Sequence, residues 1–155
     1  MRWARWSEPR SAAGMWLIAT LAGDELRAAE QRERLNEAPV ADLAVLRLVF
    51  EALAVRAFGG AEASEVHSFA SRLLGLPGAP DVEQLQVTAV IRAALGSREV
   101  KYRGFEVDRV TLIWAIVAYQ LVRELRVSRA ELVRMVRRAE ETAEETFDFT
   151  LISAR

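Results

Sequence analysis

The sequence contains a single histidine, His67, and histidine is the side chain that enzymes use most often as a general base. A catalytic role needs partners held around the imidazole. Ser64 and Glu65 are too close in sequence to form a triad with it, and Glu62 does not have the Glu-x-x-His spacing of di-iron helical bundles. His67 lies beside Val66 in a segment that is predicted to be an amphipathic helix. We therefore interpret His67 as a structural residue at or near the surface, and a non-enzymatic function is favoured.

A second cluster that could do chemistry is the set of carboxylates at 140, 141, 144 and 145. Carboxylate oxygens are the ligands that divalent cations prefer. The cluster lies in a predicted helix, however, where acidic residues commonly keep the solvent-facing side soluble. We therefore expect Glu140, Glu141, Glu144 and Glu145 to be exposed and to hold no metal. The sequence has no cysteine and no glycine-rich loop followed by lysine, so no cofactor is predicted.

Arginine supplies twenty of the 21 basic residues and clusters around one predicted turn. The cluster comprises Arg123, Arg126, Arg129, Arg134, Arg137 and Arg138. A helix, a short turn and a second helix form the outline of a helix-turn-helix, and guanidinium groups bind phosphate well. The candidate phosphate contacts are Arg129, Arg134, Arg137 and Arg138. The net charge of -1, the apolar preceding helix and the glutamates that follow make nucleic acid the weaker candidate partner.

Membrane contact is the other weak candidate. The N-terminal run from Arg2 to Trp6 mixes arginine with tryptophan, as interfacial segments do. The apolar stretches Ala12–Gly23 and Val110–Val122 are both shorter than the roughly 20 residues that a spanning helix needs. Peripheral contact through the N-terminus is therefore an alternative only. Together with the lack of cysteine, these features predict a cytoplasmic protein.

Helical periodicity recurs along the chain and predicts an all-α fold, a compact bundle of about six helices. The first helix is expected from Ser11 to Asn36, with Ala22 and Leu26 in its buried stripe. Helix 108–126 is apolar on every side, which indicates a place at the centre of the bundle or at a subunit contact. The organisation is a single domain, 1–155, with an N-terminal arm 1–10 and a C-terminal tail 147–155.

Three helix starts carry capping signals. Ser128 with Glu131 makes a capping box, Asp81 with Gln84 makes a similar pair, and Asp108 is the expected cap of helix 108–126.

Three segments resemble small helical proteins of unknown function from actinobacteria. They are the helix end Phe50–Phe58, the run AVIRAALG at Ala89–Gly96 and the turn LRVSRAEL at Leu125–Leu132. The resemblance covers about Val40–Thr146. It implies an all-α fold and supplies neither an activity nor site residues.

The number of apolar helix faces exceeds what six helices bury among themselves, and such surplus surface is typical of contact sites. We expect an interaction or regulatory module that self-associates into a homo-oligomer or binds another protein. Its expected partner surface is Trp3, Trp6, Tyr102, Phe105, Phe149 and Leu151. The alternatives are a nucleic-acid-binding regulator that uses the arginine-rich turn, and a small-ligand-binding protein or enzyme with an interhelical pocket near His67.

Overall fold

The computed structural model of the chain describes residues 9, 11–23, 26, 40–79, 81–96 and 107–147. These residues contain six α-helices and no strand, so the all-α prediction is confirmed. The helices are α1 (Ala12–Ala22), α2 (Val40–Phe58), α3 (Ala63–Leu74), α4 (Gln84–Ala94), α5 (Val107–Glu124) and α6 (Arg129–Phe147).

The first helix is shorter than its sequence pattern indicates. The prediction of one helix from Ser11 to Asn36 is wrong, because α1 ends at Ala22 and Gly23 takes a left-handed conformation with φ of 78°. Glycine adopts this conformation without steric penalty and commonly ends a helix in this way. Ala22 and Leu26, both expected in a buried stripe, are exposed, and Leu26 is 82% exposed.

One of the three predicted caps is confirmed. The Ser128 Oγ accepts the N–H of Glu131, and the Glu131 carboxylate accepts the N–H of Ser128, both at 3.2 Å. The cap predicted at Asp108 is wrong, because α5 already begins at Val107.

The cap predicted at Asp81 is also wrong. Helix α4 is capped by Glu83, whose N–H donates to Gln86 Oε1 at 3.0 Å. Val82 and Val87, on either side of this cap, stand at the positions of a hydrophobic staple, and both are buried. Because Val82 is buried as the staple residue, the cap of α4 is Glu83, two residues after the predicted cap Asp81.

The chain divides into two units, Met1–Val49 with Arg126–Arg155 and Phe50–Leu125. In the first, unit 1, helix α1 packs against α6. The predicted buried stripe of α6 is confirmed: Leu132, Val136, Ala139 and Ala143 are all buried. On α1 the buried side chains are Met15, Leu17, Ile18, Ala19 and Leu21.

In unit 2, helix α4 packs against both α3 and α5. Phe69 of α3 meets Phe58 edge to face, with ring centroids 5.2 Å apart. Arg72 lies over the Phe69 ring and also pairs with Glu124 at 2.5 Å, which connects α3 to the end of α5. The Arg72 side chain is 59% exposed, so this ion pair contributes little to stability.

Helix α5 is fully buried along one side and partly covered on the other. Val110, Ile113, Val117 and Leu121 are buried, whereas Leu112 is 40% exposed. The predicted central position of this helix is therefore not confirmed. Apart from residues 9 and 147, the predicted arm 1–10 and tail 147–155 lie outside the described residues, and the single-domain organisation stays a prediction.

Candidate functional site

The six residues expected to form a partner surface all lie outside the described residues, so that surface stays a prediction. They are Trp3, Trp6, Tyr102, Phe105, Phe149 and Leu151.

The candidate phosphate contacts lie along α6. Arg129, Arg134 and Arg138 are exposed, and Arg137 is half-buried. Arg134 and Arg138 are one turn apart and so share one side of the helix. Three and seven residues beyond Arg138 come Glu141 and Glu145, which are exposed on the same side. This side of α6 is thus basic in its first half and acidic in its second. A nucleic-acid backbone laid along it meets attraction in the first half and repulsion in the second.

His67 is exposed on α3, and its ring is approached by a side chain of α4. Gln84 Nε2 lies 3.0 Å from His67 Nε2 and also donates to the His67 carbonyl oxygen at 3.3 Å. A glutamine amide neither orients a general base as a carboxylate does nor serves as a nucleophile. The contact joins α3 to α4, in agreement with the structural interpretation. Among the described residues, no three histidine, aspartate or glutamate side chains form a group that could hold a metal ion.

Glu140 corrects the sequence expectation. We expected it on the solvent-facing side of α6, yet it is fully buried, with 0% of its surface exposed. Its Oε2 accepts the backbone N–H of Ser11, which caps α1 and is itself fully buried. Glu141 and Glu145 are exposed as expected, and Glu144 is half-buried.

The contact completes a capping box whose two halves come from different helices. In an ordinary box the third helical residue accepts the N–H of the cap residue with its own carboxylate. In α1 that third residue is Gly14, which has no side chain, although its N–H donates to Ser11 Oγ at 2.9 Å. Glu140 of α6 supplies the missing carboxylate. The charge also lies near the N-terminus of α1, where the helix dipole favours an anion.

Gly14 makes room for this arrangement. A Cβ atom at position 14 would lie 2.8 Å from Pro9 Cβ and 2.8 Å from Val136 Cγ1, and 3.1 Å from Glu140 Oε2. These distances are too short for any side chain without movement of its neighbours. The buried carboxylate is therefore an anchor between α1 and α6, with its Oε2 on the main chain at the cap of α1.

The sequence did hold a signal for Glu140. It follows Val133 by seven residues and Val136 by four, and it precedes Ala143 by three, so it belongs to the buried stripe of α6. Glutamate in such a stripe requires a buried donor, and that donor lies 129 residues earlier in the chain.

The feature that points to a function is the second apolar face of α5. Opposite its buried face, this helix carries Leu112, Ile116 and Tyr119, which we call the outer stripe. Leu112 is 40% exposed, and Ile116 and Tyr119 are half-buried. The spacings of four and three residues put all three on one side of the helix.

Two arginines bound the outer stripe. Arg109 precedes it by three residues and Arg123 follows it by four, and both are exposed. The Arg123 guanidinium lies 4.5 Å from the centre of the Tyr119 ring, in a cation–π contact. No charged residue lies between the two arginines in the sequence. The outer stripe is thus free of charged residues, with Asp108 and Arg109 before it in the sequence and Arg123 and Glu124 after it.

Unit 2 also holds most of the exposed large apolar side chains among the described residues. These are Val55, Leu76, Leu85 and Leu112 in unit 2, against Leu26 in unit 1. Leu85, on the neighbouring helix α4, is 71% exposed. The apolar surface is therefore concentrated in the unit that contains the outer stripe.

No family model, no curated protein and no solved structure matches this chain. This agrees with the resemblance to helical proteins of unknown function, which supplies no activity either. Within the described ranges, no helix has the length and apolar character required to cross a membrane.

Proposed function

We propose that this protein is a protein-interaction module that binds a helix of its partner along the outer stripe of α5. The observation that carries the proposal is the pair of apolar faces on this one helix, of which only one is fully buried. Contact surfaces are depleted of charge at their centre and enriched in aromatic side chains. Leu112, Ile116 and Tyr119 fit both descriptions, since no charged residue interrupts them and one is aromatic.

The size of the stripe favours weak, reversible binding. Full burial of a leucine or isoleucine side chain contributes about 1.5–3 kcal/mol relative to full exposure. Ile116 and Tyr119 are already half-buried, so the three side chains together add only a few kcal/mol. Micromolar affinity requires about 8 kcal/mol. The remainder has to come from surrounding contacts, and such modest affinity suits a regulatory module. Self-association, expected from the sequence, is the case in which the bound helix belongs to a second copy.

A designed helical peptide tests the proposal. The probe is a peptide of about 20 residues with leucines at alternating three- and four-residue spacing and uncharged flanks, so that it presents one apolar seam. Added to isotope-labelled protein, it is expected to shift the NMR signals of Leu112, Ile116 and Tyr119. Leu112→Gln should abolish these shifts.

The matched control is Leu26→Gln, which changes an equally apolar side chain that is 82% exposed in unit 1. This variant should bind the peptide like the wild type. Light scattering over a range of protein concentrations shows whether a second copy already occupies the stripe. A monomer whose α5 signals do not respond to the peptide would contradict the proposal.

Nucleic-acid binding is a second candidate, supported by the exposed pair Arg134 and Arg138. The test is a titration with double-stranded DNA at two salt concentrations, because phosphate binding weakens steeply as salt rises. Replacing both arginines with glutamine should remove the binding. Affinity that does not depend on salt, or that survives the double substitution, would exclude this candidate.

A further inference from the structure

The solvent-facing side of α6 carries a symmetric pattern of charge, which we call the charged stripe. It consists of Arg134, Arg138, Glu141 and Glu145, which follow one another at spacings of four, three and four residues and are all exposed. These spacings put the four side chains on one side of the helix, over about 16 Å of its length. In the reverse direction the spacings are the same, and each arginine position becomes a glutamate position. The stripe is therefore its own complement when it is turned end to end.

The other charged residues of α6 do not interrupt this pattern. Glu140 is buried against the cap of α1, and the Glu131 carboxylate is part of the capping box at the start of α6. Arg137 and Glu144 are half-buried, and each already makes an interaction within the molecule. Arg129 lies two and a half turns before the second arginine of the stripe and so on the opposite side. In the described ranges, no ion pair joins a residue of the stripe to another side chain.

Within one molecule this order of charges is unfavourable. The two arginines of the stripe are one turn apart, and so are the two glutamates, and like charges at this spacing destabilise a helix. Glutamates in the last turns also oppose the helix dipole, which favours cations at that end. A partner that brings glutamates to the arginines and arginines to the glutamates offsets both effects.

We infer that two copies of this chain pair through α6, antiparallel, about a twofold axis at the level midway between positions 139 and 140. Position 134 of one copy then faces position 145 of the other, and position 138 faces position 141. Every facing pair joins an arginine to a glutamate. A parallel arrangement instead brings each charge against its own equivalent. This surface is separate from the outer stripe of α5, so the inference does not rest on the proposed function.

The strength of the pairing follows from the exposure of its charges. Exposed arginine–glutamate pairs are individually weak and are screened by salt. The dimer is therefore expected at high protein concentration and low salt. A stripe with both signs of charge also suits a second copy better than nucleic acid, whose backbone carries negative charge alone.

Sedimentation equilibrium of charge variants tests the pairing. The wild type should exceed the mass of a monomer at about 50 mM salt and return to it at about 500 mM salt. Arg134→Glu with Arg138→Glu makes the whole stripe acidic, and Glu141→Arg with Glu145→Arg makes it wholly basic. Each of these variants should remain monomeric by itself, because like charges then face one another. An equimolar mixture of the two should form a heterodimer.

The quadruple variant that combines all four substitutions is the matched control. Every charge of the stripe is reversed in it, yet the stripe is again its own complement. It should dimerise like the wild type, which distinguishes a loss of pairing from a loss of folding in the double variants. Circular dichroism verifies that all variants keep the helical content of the wild type.

A spin label tests the antiparallel direction. The chain has no cysteine, so Ala130→Cys places a single label on an exposed position of α6. In the antiparallel dimer the two labels should lie about 28 Å apart along the helix axis. Labels side by side would show parallel pairing and overturn the inference.

The remaining outcomes separate this inference from the proposed function. A wild type that stays monomeric at low salt, or double variants that dimerise by themselves, would overturn the pairing through α6. A dimer that Leu112→Gln dissociates would overturn it too, but would support binding of a helix along the outer stripe. If the charge variants behave as expected while no helical peptide binds the outer stripe, the α6 pairing stands and the proposed function fails.

Discussion

Two regions of the molecule depart in opposite directions from the usual separation of polar and apolar side chains. One is the joint between α1 and α6 in unit 1, and the other is the outer stripe of α5 in unit 2. In unit 1 a carboxylate, Glu140, is fully buried. In unit 2 a leucine, Leu112, remains 40% exposed on a helix that already has one buried face. The first departure is compensated inside the chain by the Ser11 N–H. For the second we propose that a helix of a partner covers it. The buried carboxylate joins two helices of the fold, whereas the exposed leucine supports the proposed interaction.

The sharpest test of this contrast uses two neighbouring residues of α5. Ile113 is fully buried, and Ile113→Ala is expected to lower the free energy of unfolding by about 3 kcal/mol, since it leaves a cavity. Leu112→Ala should lower it by less than about 1 kcal/mol, because the side chain is already partly in water. Urea denaturation followed by circular dichroism measures both. Equal losses would mean that the outer stripe is part of the core.

Glu140→Ala is expected to have the next largest effect, about 2 kcal/mol, because it leaves the buried Ser11 N–H without its acceptor. Glu140→Gln keeps an oxygen at the same place and should lose less stability. Both free energies come from the same urea experiment. Were the alanine variant as stable as the wild type, the anchor between α1 and α6 would contribute nothing.

Gly14→Ala should destabilise the protein by about 1–2 kcal/mol, because its Cβ overlaps Pro9 and Val136. Gly75→Ala is the matched control. Position 75 has a φ of -83°, and a Cβ there meets only atoms at 3.5 Å. Thermal melts of the two variants should therefore differ, with the Gly75 variant close to the wild type. A harmless alanine at position 14 would show that the joint is loosely packed.

The smallest expected effect compares the two serine caps. Ser128→Ala breaks an exposed capping box and should lower stability by about 1 kcal/mol or less, because water replaces the lost bonds. Ser11→Ala removes the same hydroxyl from a fully buried cap, where no water substitutes for it. It should be the more damaging change in the same melts. The reverse order would contradict the importance of burial at the α1 cap.

Local sequence patterns predicted the helices well. The stripe Leu132, Val136, Ala139 and Ala143 is buried as expected, and the Ser128 capping box is present, since both depend on residues close in sequence. Asp81 and Glu83 both fit a capping pattern, and the choice between them depended on whether Val82 is buried.

The buried carboxylate was missed although its position fits the buried stripe of α6, because its hydrogen-bond donor is distant in the sequence. Nothing within one turn of Glu140 reveals that Ser11 will donate to it. The candidate site was foreseen in part. The surplus of apolar surface on helix 108–126 was visible in the sequence, but the expected anchors were aromatic residues elsewhere. The packing of helix 108–126 against α4 decides which face of the helix stays exposed. The spacing of apolar residues within one helix does not predict that packing.

The long separation between Ser11 and Glu140 has a consequence for synthesis. The ribosome makes α1 before α6, and the carboxylate that completes the cap of α1 is added 129 residues after Ser11. Until then the apolar face of Met15, Leu17, Ile18 and Leu21 has no α6 to cover it. At about 5–20 residues per second, this interval lasts for several seconds. Throughout this interval, α1 lacks the cover that α6 gives it in the folded protein.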